Sequence, residues 1–436
     1  MSTNPQSESS PRQAAEAFAN DLISFIASSP SSYHAAASAA EALEAVGFAR
    51  QDEATPWEAT PGGHFLVRGG ALMAWFVPEG ASVERSGFRI IGAHNDSPGF
   101  KLKPLGDRES AGWQQAGVEV YGGPILSSWL DRELVLAGRI ALADGSTRLV
   151  AIPPMLRIPH LAIHLDRTIN DQLHLDKQRH LQPIFAVGHP EASIMDVVAD
   201  AAGVDKRDIV AHDLITADAQ PGELFGAGGD LLAAGRLDNL SSAYPGLRAL
   251  LRAAAGGEAG PDVLVLAAFD HEEIGSGSTT GAAGPILEDV LVRTATALGA
   301  GADGLRRMYA RSSCVSADAA HSVHPNYPDR HDSVNFPLMG KGPALKVNAN
   351  QRYASNAASE ALWVRACERA GFFTQYFAGN NSVPCGTTIG PITATRLGIE
   401  TVDVGIPLLS MHSARELASA QDVYRLELAL HEYLVG

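Results

Sequence analysis

A chain of 436 residues with 45% apolar and 19% charged side chains can bury a sizeable core, enough for two domains or for one large domain carrying an insertion. Its net charge of −16, with no concentrated basic face, sets nucleic-acid binding aside. Its three cysteines, Cys314, Cys367 and Cys385, are far apart and form no CxxC pair, which excludes a disulfide framework and a thiolate zinc site.

In chain order, the polar start "MSTNPQSESSPRQ" has no positive-then-apolar signal pattern, and no apolar run approaches ~20 residues. A soluble cytoplasmic protein without a membrane partner is expected. "AAEAFANDLISFIASSP" and "SSYHAAASAAEALEAVGF" have the apolar spacing of helices, the first stopping at proline and the second at glycine. "HFLVRGGALMAWFVP" reads as a hairpin about Gly69-Gly70, and "SGFRIIGAHNDSPGF" as a strand ending in a polar loop. From about Leu105 to Asp230 the texture turns β-rich, with "IPPMLRIPHLAIHL" as short strands and turns and no long helix before "ASIMDVVADAAGV".

Past Gly235 the strand–helix alternation returns. "NLSSAYPGLRALLRAAA", "GPILEDVLVRTATALG", "ASEALWVRACERAG" and "SAQDVYRLELALHEYLV" read as helices, "DVLVLAAFD" and "IETVDVGIPL" as strands. Pro245-Gly246 is expected to kink or shorten the helix after Asp238. The expected fold class is α/β, with residues 1–100 and 233–436 as one discontinuous domain and residues 101–232 as a β-rich insertion.

Imidazoles and carboxylates fall where open α/β sheets build their sites, beyond the carboxyl ends of strands. His94 and Asp96 close "FRIIGAHND", and Glu272 and Glu273 close "VLVLAAFDHEE". Asp238 stands in "GRLDN", Asp318 in "SCVSADAAH", and His412 after "VDVGIPLLSMH". Taken singly, each has an ordinary explanation: a hydrogen-bonded structural histidine, an aspartate N-cap, a solvated glutamate pair. Together those explanations weaken, because "HEE" follows an apolar strand directly and the local segments supply few Lys or Arg. Burying several carboxylates without positive charge costs several kcal/mol per ion, a penalty that divalent cations would remove. Zinc accepts both imidazole nitrogen and carboxylate oxygen, and a two-metal site needs a bridging carboxylate and one further acid as general base. In "HEE" one glutamate can serve as ligand while its neighbour takes the proton.

"GAHNDSPGFKLKP", "GRLDNLSSAY", "FDHEEIGSGS", "SADAAHSVHPNY", "KVNANQRYASN" and "MHSARE" occur in an order that resembles the aspartyl aminopeptidase family of dinuclear zinc exopeptidases, from roughly His34 to the C-terminus. The resemblance implies a three-layer α/β/α catalytic domain interrupted by a β-rich dimerisation domain. It implies two Zn2+ per subunit, with Mn2+ or Co2+ as alternative occupants of such ligands. Asp238 matches the bridging carboxylate, His94 and Asp318 the further ligands of one ion, and Glu273 and His412 those of the other. Glu272 matches the general base and Asp96 the residue that orients His94. Lys346 matches the lysine that holds an acidic substrate side chain, with Tyr353 helping to position it and His321 and His324 stabilising the tetrahedral intermediate. A histidine from a partner subunit completes such sites; "IPHLAIHL" offers His160 and His164, and His164 is the expected one. Short peptides as substrates and a homo-oligomer, dimer-based and up to a dodecamer, follow from the same resemblance.

Two other readings stand beside this one: the same dizinc site working as a neutral-residue aminopeptidase, deacylase or carboxypeptidase, and a non-catalytic oligomeric scaffold. Weaker signals fall away. "HEEIG" is not HExxH, and "GSGSTTG" lacks the Gly-Lys of a phosphate loop; its glycines are expected to let the backbone turn tightly under the metal site. "HLAIH" has i,i+4 histidines, but the neighbouring prolines and β-branched residues favour a strand, so no metal pair is expected there.

Overall fold

A computed structural model describes residues 10–436, so most of the polar start considered above lies outside the described residues. The first helix, Pro11–Ala27, opens with Ser10 accepting from the Gln13 backbone while the Gln13 side chain accepts from the Ser10 N–H, a reciprocal cap that satisfies two orphan groups. Among the described residues no helix is long and apolar enough to cross a membrane.

Nine strands form the larger sheet, in the order Ala49–Arg50, Gly62–Arg68, Ala71–Val77, Val263–Phe269, Phe88–His94, Ser313–Ala317, Glu400–Gly405, Ala344–Val347 and Gln375–Ala378. The central four are mutually parallel, and every residue of Val263–Phe269 is buried, as expected of a strand covered on both faces. Alternate side chains sort into two cores. Ile91, Leu264, Leu266 and Val315 pack with the helices Ser32–Ala45, Leu237–Gly256 and Ala420–Val435. Ile90, Val263, Val265 and Cys314 pack with the helix Ile286–Ala297 on the other side. Register places His94 opposite Phe269 and Ala317 opposite Val404, so the carboxyl ends of four strands share one rim.

The second sheet takes its strands from Gly99–Ser110 through Ile209–Asp218, so its first strand begins before the span read as β-rich from about Leu105. Ile209–Asp218 pairs with both Gly99–Ser110 and Glu133–Leu142, so this sheet closes on itself around Phe100, Leu136, Ile140 and Leu214. The first α-helix after residue 101 is Ile194–Ala202, at the "ASIMDVVADAAGV" stretch.

Three expectations of local structure need correction. The helix Leu237–Gly256 runs on through Pro245; its backbone departs from helical values instead at Asp238 (ψ 105°) and Asn239 (φ −124°). The cause is local to the site: the Asp238 N–H is held by Glu416 and the Asn239 side chain by the Ala317 carbonyl. Gly246 is there for close packing, since a Cβ would lie 2.9 Å from Leu266 and 3.1 Å from Ile91. Second, the "HLAIH" stretch is turn and not strand, with Leu161, Ile163 and Leu165 exposed and no strand beside it. Third, the helices Ala302–Ala310 and Ile389–Leu397 were not foreseen. The latter reads poorly as helix, yet Pro391 sits in the first turn, where its missing N–H costs nothing, and Gly390 leaves room for the Asp403 carboxylate.

Candidate metal centre

Six side chains converge on the rim of the larger sheet. His94 ends its strand; Glu272 and Glu273 follow Phe269 after a left-handed turn at His271 (φ 63°). Asp318 follows Ala317, and His412, also left-handed (φ 66°), follows the strands Glu400–Gly405 and Pro407–Leu408. Asp238 enters from the helix start beneath them.

The distances have a pattern. His94 Nε2 lies 3.4 Å from Asp238 Oδ1, 3.7 Å from Asp318 Oδ1 and 3.8 Å from Glu272 Oε2. His412 Nε2 lies 3.3 Å from Asp238 Oδ2 and 3.5 Å from Glu273 Oε2. Asp238 therefore shows one carboxylate oxygen to each histidine. These separations are long for hydrogen bonds. They match donor atoms on a tetrahedral ion, which at bond lengths of ~2.0–2.1 Å sit about 3.3 Å apart. His94, Asp238 and Glu273 bring ligand atoms within 4.8 Å of one another. Buried Asp238 Oδ1 and Glu273 Oε1 have no hydrogen-bond partner. Unsatisfied buried carboxylate oxygens facing imidazole nitrogens form a donor set that fits zinc.

The electrostatics agree. Burial pulls His94 down, but the carboxylates of Asp238, Asp318 and Asp96 lift it well above its ordinary value. His412 is pushed up to about 10, against burial, by Asp238 and Glu273. Burial resists ionisation of Asp238, yet His412 and His94 hold it well below the usual carboxylate range. Glu272 is raised to about 7 by burial, opposed by His94 and reinforced by Asp318 and Asp238. Burial and then Asp238 lift Glu273 well above the usual glutamate range. The cluster carries more negative charge than its own side chains offset, which is the environment a cation stabilises.

Asp96 holds the glutamate pair in place. Its carboxylate accepts the backbone N–H of Glu272 at 3.0 Å and of Glu273 at 3.1 Å. The neighbour of His94 Nδ1 at hydrogen-bonding distance is the Asp96 backbone oxygen, at 3.0 Å, while the carboxylate lies 3.4 Å away. Asn95 ties the strand end to the hairpin turn through the Gly70 carbonyl at 3.0 Å. The "GSGSTTG" run turns tightly below, with Gly275 at φ 96° and Ser276 at φ 60°.

Of the residues assigned to substrate, Tyr353, His321 and His324 line an open pocket that His412 also borders. Lys346 is not on its wall. It is buried, donates to the backbone carbonyls of Asp318 and Ala319 at 3.0 Å each, and lies 5.0 Å from the ring centre of Tyr353. His164 is exposed within the turn at 163–165, and His160 is bonded to Asp131 at 2.7 Å, so neither reaches the centre of its own chain.

Sequence reasoning missed two residues of the surroundings. Glu416, buried and pushed up to about 8 by burial and Asp238, accepts the backbone N–H of Asp238 at 2.9 Å and of His412 at 2.7 Å. It stands inside "MHSARE", so a signal was present. Tyr121, from the second sheet, donates to Asp96 Oδ2 at 2.8 Å, and nothing in its local sequence announces this.

Comparison with known proteins shows the chain's relatives. The family described as Aminopeptidase I zinc metalloprotease (M18) matches residues 25–434. A Streptomyces coelicolor protein described as a probable M18 family aminopeptidase 2 is 49% identical over 430 residues, covering 98% of this chain and 99% of its own. Among solved structures, a chain in the cryo-EM structure of the Ape4 and Nbr1 complex superposes with a TM-score of 0.93 at 33% identity, covering 100% of this chain and 88% of its own. The S. cerevisiae mApe1 dodecamer gives a TM-score of 0.83 at 29% identity, with 96% of each chain covered. With nearly its whole length matched in sequence and in fold, this chain belongs to the M18 family of zinc aminopeptidases.

Proposed function

We propose that this chain removes acidic residues, Asp or Glu, from the N-termini of short peptides through a two-zinc centre with Glu272 as general base. The observation that carries the reading is Asp238, whose two oxygens face His94 and His412 separately. In this reading His94, Asp238 and Asp318 would hold one ion, and Asp238, Glu273 and His412 would hold the other. Zinc, when bound, supplies Lewis acidity that lowers the pKa of water and polarises the scissile carbonyl.

The remaining chemistry falls to the chain's own residues. Glu272 takes a proton from the attacking water and returns it to the leaving amine. It suits that task because it sits beside the ligands, 3.8 Å from His94 Nε2, while Asp96 fixes its backbone. His321 and His324 stabilise the tetrahedral intermediate from the pocket wall. Preference for an acidic first residue rests on local charge and donors: Arg330 lines the pocket, His321, His324 and His331 offer ring nitrogens, no Asp or Glu lines it among the described residues, and Lys346 stands behind Tyr353. A chain of net charge −16 repels acidic peptides at long range, so the attraction has to come from this wall.

The same reading takes the larger sheet, with helices on both faces, as a three-layer catalytic domain of residues 1–100 and 233–436, and residues 101–232 as an inserted dimerisation domain. Assembly into a homo-oligomer is supported by the dodecamer formed by mApe1. It would bury the exposed Leu161, Ile163 and Leu165 and carry His164 to a partner subunit's site. We place the enzyme in the cytoplasm.

The test is a panel of N-terminal aspartyl, glutamyl, leucyl and lysyl reporters, before and after chelation and after zinc is returned. Acidic reporters are expected to be cleaved best, with activity lost on chelation and regained with zinc. Equal turnover of the leucyl reporter would overturn the acidic preference, and activity that survives chelation would overturn the metal mechanism.

A further inference from the structure

The metal centre stands on the larger sheet, yet the segment Tyr121 to Ile125, where the chain leaves the second sheet, touches both of its halves. Tyr121 donates to Asp96 Oδ2 at 2.8 Å, and Asp96 in turn accepts the amides of Glu272 and Glu273. Gly122 lies against Glu273 so closely that a Cβ would stand 3.1 Å from the glutamate's own Cβ. Gly123 offers its carbonyl to His412 Nδ1 at 3.0 Å, and the Ile125 N–H bonds to the His412 carbonyl at 2.9 Å.

A second tyrosine crosses between the sheets without touching the centre. Tyr33, on the helix Ser32–Ala45, lies under Arg139, whose guanidinium carbon is 4.5 Å from its ring centre and which pairs with Asp213 at 3.3 Å. Tyr33 ties a helix packed on the larger sheet to the second sheet, whereas only Tyr121 contacts a residue that holds the glutamate pair. The difference separates a fastening role from a positioning one.

We propose that Tyr121 is a positioning residue for peptide hydrolysis: its hydroxyl fixes the Asp96 carboxylate that grips the backbone of Glu272 and Glu273, so the second sheet sets the aim of the proton-transferring acid. Removing the hydroxyl leaves Asp96 Oδ2 with one polar neighbour fewer and loosens both amide contacts together. The tyrosine ring, 6.5 Å from His271 between centres, keeps its place in a phenylalanine variant, so Tyr121→Phe deletes one oxygen and little else. Changes to groups that orient metal ligands typically cost about 10- to 100-fold in activity or metal affinity.

The inference rests on the functional reading above, and its test has an arm that does not depend on it. In zinc-loaded full-length enzyme, Tyr121→Phe is expected to lower kcat about 10- to 100-fold on an aspartyl reporter with KM unchanged, and to release zinc faster to a chromogenic chelator. Tyr33→Phe is expected to keep the parental kcat and zinc-release rate even where its melting temperature falls as far. Parental kcat and zinc release in Tyr121→Phe would overturn the proposal, as would a raised KM at parental kcat. Equal losses in Tyr33→Phe would also overturn it, since loosening the sheets would then be the whole effect. If Tyr121→Phe does not fold, Gly122→Ala, which presses on Glu273 from the same segment, takes the same readings; parental values there would again overturn it. A parent that cleaves no reporter at all would sink the functional reading, while the zinc-release comparison would still decide the role of Tyr121.

Discussion

The Lys346 ammonium group donates to the backbone carbonyl of Asp318 at 3.0 Å and lies 3.7 Å from the carboxylate of the same residue. A lysine 2% exposed, with Asp318 before it and the buried Asp403 beside it, carries structure, and in the reading proposed above it also sets selectivity. Lys346→Met is expected to leave those acids uncompensated and cost about 3–5 kcal/mol in chemical denaturation. On reporters, loss of the positive charge behind Tyr353 should lower kcat/KM for the aspartyl substrate about 10-fold and for the leucyl substrate much less. Equal losses on both would assign Lys346 to structure alone.

Glu272→Gln keeps the side chain's shape and removes its ability to accept and return a proton. The expected outcome is a fall in kcat of roughly 10²- to 10⁴-fold, with parental zinc content by metal analysis. A variant that holds zinc and hydrolyses as fast as the parent would take the general-base role from Glu272.

Glu416 spans Asp238 and His412 by their backbone amides, one carboxylate oxygen for each. A glutamine has one acceptor oxygen, so Glu416→Gln turns an N–H group toward one of those amides. Zinc affinity, read by competition with a chelator, should fall about 10- to 100-fold. Unchanged affinity would show that the two ligands hold their places without it.

His34 gives a pH prediction away from the metal centre. Burial, and then the Arg236 guanidinium, lowers its pKa from 6.5 to about 4, so the folded protein prefers the neutral imidazole. Above pH 6.5 the ring is neutral in both folded and unfolded chains and the full stability is present. As pH falls from 6.5 toward 4 the unfolded chain binds the proton first, and roughly 3 kcal/mol is lost across that window. Denaturation of zinc-loaded parent and His34→Gln at several pH values should show a shallower acid decline in the variant; parallel curves would contradict the assignment.

What the sequence showed and what it hid divide along physical lines. His94, Asp318 and the Glu272–Glu273 pair were visible because each follows an apolar strand, and the carboxyl ends of parallel strands share a rim. Asp238 and His412 were visible through motif order. Tyr121 was not, because its partner Asp96 stands 25 positions away in the loop after another strand and only tertiary packing joins them. Glu416 acts on residue 238 across 178 positions and through backbone groups, which leave no pattern in side-chain spacing. Pro245 misled for the opposite reason: local propensity argued for a kink, and burial against the sheet prevailed; the helix that holds Gly390-Pro391 drew no reading at all. The stretch Leu161–Leu165, whose composition favours a strand, is coil and turn because no strand pairs with it.

The most direct test of the account is the anomalous scattering of zinc in crystals of the zinc-loaded protein. Two peaks are predicted, one among His94, Asp238 and Asp318 and the other among Asp238, Glu273 and His412, with Asp238 common to both. A single peak, or two peaks that do not share Asp238, would contradict the two-zinc centre.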